Sequence, residues 1–193
     1  MPRNQRDHRI YTIPNTTILN WAHEYHSAAK FMHDTWTPGS SSSRFGGPII
    51  MTGTFSLELY LKSLNAVTVL NNIEEIYPGA IWSNDLSNES LSGKEHNPSR
   101  LFEAVPQRVQ SFLLEIFRTS PLSDNGRHFL QDILKVFDGA FVKWRYVFEG
   151  HVTPLPLTDL FTLLDFFSGA ADQIKDKKFS SSSSDDTDIG TTG

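Results

Sequence analysis

Apolar residues return at helical spacing along most of this chain. Between residues 16 and 36, the series Ile18, Ala22, Tyr25, Ala29, Met32 and Trp36 advances in alternating steps of four and three. A helix keeps such positions on one face for about five turns, and Asn15 or Thr16 supplies a capping oxygen. Pro38-Gly39 stops this helix, and Ser40 to Ser43 with Gly46-Gly47 read as a flexible connection.

A second helix is predicted over 49–70. Phe55, Leu57, Leu59, Tyr60, Leu61, Leu64, Ala66, Val67 and Leu70 surround it, leaving Thr54, Glu58, Lys62 and Asn65 as a narrow polar stripe. A helix apolar on most sides belongs in the middle of a bundle. A third helical region covers 98–118, opened by Pro98 and interrupted at Pro106, with Leu101, Phe102, Val105, Val109, Phe112, Leu113, Ile116 and Phe117 facing inward. A fourth is expected from Ser123-Asp124 to Glu149, burying Phe129, Ile133, Phe137, Ala140, Phe141, Trp144 and Phe148. Within it Gly139 marks either a kink or the close approach of a neighbour, and Gly150 is placed to end it. The fifth follows Pro154 and Pro156 and buries Leu157, Leu160, Phe161, Leu164, Phe167 and Ala171.

Residues 71–97 carry the turn signals Pro78-Gly79, Asn84-Asp85 and Ser92-Gly93 and read as a long loop insertion. Residues 1–14 form a polar arm bearing Arg3, Arg6, His8 and Arg9, and 179–193 a disordered tail rich in Ser and Asp. The fold class expected is all-α, an antiparallel bundle of about five helices over 15–178.

Composition narrows the chemistry. A length of 193 residues suits one domain, and 14 phenylalanines supply large rings for its core. The net charge of −5 weighs against a generally cationic nucleic-acid coat but leaves room for a local basic patch. With no cysteine, disulfides, thiolate catalysis and cysteine-ligated metals are excluded. No signal-type apolar run follows the N-terminus and no stretch of about 18 apolar residues occurs, so no membrane span is expected and the cytoplasm is the expected address.

Three segments in order resemble the HEPN family (higher eukaryote and prokaryote nucleotide-binding domains). Phe55-Ser-Leu-Glu-Leu-Tyr-Leu-Lys-Ser-Leu64 is similar to that family's buried E-x-x-x-K helix. Glu95-His-Asn-Pro-Ser-Arg-Leu-Phe-Glu-Ala-Val-Pro106 is similar to its loop histidine and short leucine-rich helix. Phe141-Val-Lys-Trp-Arg-Tyr-Val-Phe-Glu149 is similar to its W-R-Y-x-x-E ending. The match spans roughly residues 50–150.

The resemblance implies a protein that binds RNA, a nucleotide or a partner protein in a microbial defence or toxin–antitoxin setting, as a homodimer. Glu58, Lys62, His96, Tyr146 and Glu149 are the implied binding residues, and no cofactor or metal is implied. Catalytic members are metal-independent ribonucleases with an R-x(4–6)-H motif, which Arg145 and His151 match as R-x5-H. An imidazole can take the proton from an RNA 2′-hydroxyl near neutral pH, and a guanidinium can hold the phosphate bidentately. Tyr146, however, stands where active members carry a polar residue, and Gly150 and Pro154 place the helix end before His151. The competing reading makes Arg145 and Glu149 an ordinary i,i+4 pair on a solvated face. A helical scaffold without a nucleic-acid role is the third reading.

Two further clusters carry weaker signals. His23, His26, Lys30 and His33 share one stripe, but Lys30 interrupts it and no acidic cluster joins it, so a solvated, weakly basic face is expected and not a metal site. Arg3-x4-His8 lies outside any expected bundle helix and is read as chance.

Overall fold

Asn15 caps the first helix as expected: its side-chain oxygen accepts from Ile18 N at 3.2 Å, and α1 runs over Thr16–Thr35. The structure, a computed structural model, describes residues 8–10, 12–36, 46–71, 74–77, 80–82, 85–90, 92–124, 129–146 and 155–177. The expected linker over 40–43 and tail over 179–193 lie outside the described residues, as does most of the arm.

The central helix is α2, Gly46–Ser63, which starts three residues earlier than expected. Asn15 N donates to Ser63 O at 2.7 Å and Ser56 Oγ to Ala22 O at 2.8 Å, so α1 and α2 lie antiparallel and closely packed. The last helix, α8 (Leu157–Asp176), runs antiparallel to α1, with His23 near Ser168, His26 near Asp165 and His33 against Phe161. Leu57, Tyr60, Leu61, Leu160, Leu163, Leu164 and Phe167 fill the space between these helices. Removing that much apolar surface from water is the main stabilising contribution.

The stretch from Pro98 behaves as the sequence indicates. Pro98 opens α3 (Pro98–Glu103), Pro106 separates it from α4 (Gln107–Arg118), and α4 buries Val109, Phe112, Leu113 and Phe117. The fourth helix is not continuous. It is replaced by α5 (Pro121–Asp124), α6 (Leu130–Val136) and α7 (Ala140–Arg145). Gly139 ends the α6 turn at φ 68°, a left-handed backbone that favours glycine, so it is a break and not a mere bend. Asp138, released from the helix, accepts from Ser99 N at 3.0 Å and Ser99 Oγ at 2.6 Å, capping α3 from across the fold.

The largest correction falls on 66–97. The second helix does not reach residue 70, and the insertion is not a plain loop. Leu64 N and Asn65 N bond back three residues, closing α2, and Ala66–Asn71 forms strand β2. Val67-Thr68-Val69 is β-branched, a run that packs better on a pleated surface than on a helix. β2 pairs antiparallel with β1 (His8–Ile10), part of the expected arm, and with β5 (Asp85–Ser90) in the order β1-β2-β5. Between them β3 (Glu74–Tyr77) and β4 (Ala80–Trp82) pair separately. Asn15 Nδ2 reaches Thr68 Oγ1 and Asn88 Oδ1, tying this sheet to the foot of the bundle. The body of the molecule is helical, an all-α bundle with two small sheets at its side.

Candidate functional site

Of the residues singled out from the sequence, Glu58, Lys62 and His96 come together. Glu58 is 2% exposed, in the middle of α2. Its Oε1 accepts from Lys62 Nζ at 2.6 Å, one helical turn on, and lies 2.9 Å from His96 Nδ1. The contact fixes His96 as the Nδ1–H tautomer or the imidazolium, because a carboxylate only accepts. Glu58 Oε2 is buried with no hydrogen-bond partner among the described residues. His96 is brought in by its own loop. Glu95 Oε1 accepts from His96 N and Asn97 N at 2.8 Å each, and the Asn97 amide foremost holds the Glu95 carboxyl below its usual range.

Arg145 does not join this cluster. It is exposed at the end of α7, its guanidinium carbon 5.6 Å from the centroid of the Tyr146 ring. Glu58 and Lys62 are therefore joined by His96 and not by Arg145. The cause is the break at Gly139, which turns the chain so that α7 meets α2 as a short separate helix. Glu149 and His151 lie outside the described residues. Tyr146 is 44% exposed.

The histidine face of α1 is also corrected. The buried positions are Leu19, Ala22, His26 and Ala29, one step round from the expected stripe, with Ile18, Tyr25 and Met32 half-buried at its flank. His26 is thus interior. The Tyr60 hydroxyl lies 3.2 Å from His26 Nδ1 and 3.0 Å from His23 Nδ1. A phenol has one proton to give, so one of these imidazoles must donate its Nδ1–H back to the oxygen. Burial pushes the Tyr60 phenol up to about 12 and lowers His26, against the opposing pull of the Asp165 carboxylate. Asp165 Oδ1 stands 3.4 Å from His26 Nε2, which is buried with no hydrogen-bond partner among the described residues. Beside this network a groove of about 270 Å³ opens between α1 and α8, lined by Lys30, His33, Phe161 and Asp165. Among the described residues no group of three or more His, Asp or Glu is placed to hold a metal ion. No described helix is long and apolar enough to cross a membrane.

A third arrangement links the helices through rings. Trp21 and Tyr25 on α1 are 6.5 Å apart, Tyr25 meets Phe55 of α2 edge-on at 4.7 Å, and Phe55 stacks on Phe141 of α7 at 5.0 Å. By periodicity Tyr25, Phe55 and Phe141 are core stripe residues, and no periodicity signal marks Trp21. Comparison of the chain with protein-family models, with curated proteins and with solved structures finds no match.

Proposed function

We propose that this chain is a HEPN-like bundle that acts by binding RNA and does not cleave it. The observation that carries the reading is the placement of Arg145. Its guanidinium is exposed beside Tyr146, and Phe141, one turn back along α7, carries the ring contacts to α2. A cation next to aromatic faces is the combination that holds phosphate and base together in single-stranded nucleic acid. Glu58, buried in α2, takes hydrogen bonds from Lys62 and from the half-exposed His96, and on this reading the three hold the fold in place. The order of the three HEPN-like segments supports a microbial defence or toxin–antitoxin role, a cytoplasmic address and a homodimer.

A second reading, a metal-independent endoribonuclease using Arg145 and His151, draws on the same exposed guanidinium. One titration separates the two. Labelled single-stranded RNA is followed by anisotropy in EDTA, and the same samples are run on a denaturing gel. The binding reading expects a complex with intact RNA, weakened in Arg145→Ala with a salt slope lower by about one. Cleavage by the parent but by neither Arg145→Ala nor His151→Ala would establish the enzyme. Absence of both binding and cleavage would remove RNA from the account.

A further inference from the structure

We propose that Trp21 heads a stacking platform for unpaired RNA bases, an inference that rests on the RNA-binding reading above. Trp21 is 53% exposed although three rings stand behind it in sequence: Tyr25, Phe55 and Phe141. Those rings belong to three helices, so the ladder is braced by α1, α2 and α7 at once. A ring held in this way loses little freedom when a base settles on it, and every base offers a π face. Burying the indole would have been the more stabilising use of so large an apolar group. Leaving half of it in water suits a surface that acquires its cover from outside.

The charges around the ladder select its occupant. Phe141 and Arg145 are four residues apart on α7, so the guanidinium lies one turn beyond the last ring. The cation at that end attracts a polyanion. Glu24 lies one turn from Trp21 on α1 and is exposed. Its carboxylate repels phosphate there, so a base and not the backbone is expected at the indole. A cation at one end and a carboxylate at the other set a direction for a single strand, its phosphates toward Arg145 and a base toward Trp21.

The test uses the full chain with a short labelled oligouridine and, as contrast, a blunt RNA duplex whose bases are unavailable. Trp21→Ala is expected to weaken oligouridine binding about tenfold, the loss typical of one stacked base, and to leave duplex binding unchanged. Trp21→Phe, which keeps a ring, should retain most of the affinity, and Glu24→Gln should strengthen it. Thermal unfolding of each variant, read beside the parent, establishes that the fold is intact. If Trp21→Ala binds as the parent does while Arg145→Ala is impaired, the platform is overturned and the RNA reading stands. If the parent binds neither RNA, both fall together. If Trp21→Ala converts a dimer to a monomer by light scattering without changing RNA affinity, the ring belongs to an interface between copies and the platform is overturned.

Discussion

Glu58 is a buried carboxylate in the middle of α2. A carboxylate taken out of water is costly unless donors replace its hydration, and here two donors converge on one oxygen while the other has none. The Lys62 contact was legible, because i,i+4 spacing in the favoured order predicts it. The His96 contact depends on a loop 38 residues away folding back, and short-range spacing carries no such information. His26 is hidden from sequence for a different reason. The steps 19, 22, 26 and 29 form a good seam, but an imidazole in a seam points to solvent, and its partner Tyr60 lies 34 residues away. Its burial has a measurable consequence. The folded-state value lies below the ordinary 6.5, so the unfolded chain binds this proton first as pH falls. The stability His26 contributes is complete above about 6.5 and is lost as pH drops from there toward the lower folded value. Urea unfolding at pH 7.5 and at pH 5 should show the parent losing more stability than His26→Asn. Equal losses would contradict the assignment.

At the scale of elements, helices with clean periodicity were legible and their ends were governed by tertiary partners. The continuous apolar run from Leu64 to Leu70 fits a buried helix or a buried strand equally well, and its β-branched centre decided for the strand once β1 and β5 were present to pair with it. Gly139 was read as a kink or a close approach; the need for Asp138 to cap α3 makes it a full break. Gly53 shows the opposite case, a glycine kept for closeness. A Cβ there would stand 2.8 Å from Leu160 Cδ2, and Leu160 is fully buried and cannot swing aside. Gly53→Ala gains about 1 kcal/mol of helix propensity but meets an overpacking cost of about 1–3 kcal/mol, so a net loss is expected. Gly169→Ala on α8, where a Cβ meets nothing within 4 Å, should instead stabilise by about 1 kcal/mol. Thermal melts of the pair check the contrast; a gain in both variants would mean that α2 and α8 are less tightly packed than described.

For the whole molecule, the helical bundle was legible because five amphipathic stretches each needed a partner for an apolar face. What was not legible was the sheet at its side, since the paired strands β1 and β2 are separated in sequence by two whole helices. The surface chemistry was least legible of all, because Tyr25, Phe55 and Phe141 come from three separate helices and meet only in the folded bundle. The RNA-binding account places the nucleic acid along that surface. Ultraviolet cross-linking of bound oligouridine, followed by peptide mass spectrometry, reads the location directly. The account predicts adducts on peptides spanning α1 around Trp21 and α7 around Tyr146. Adducts confined to the α1–α8 groove or to the β-strands, with none on α1 near Trp21 or on α7, would contradict it.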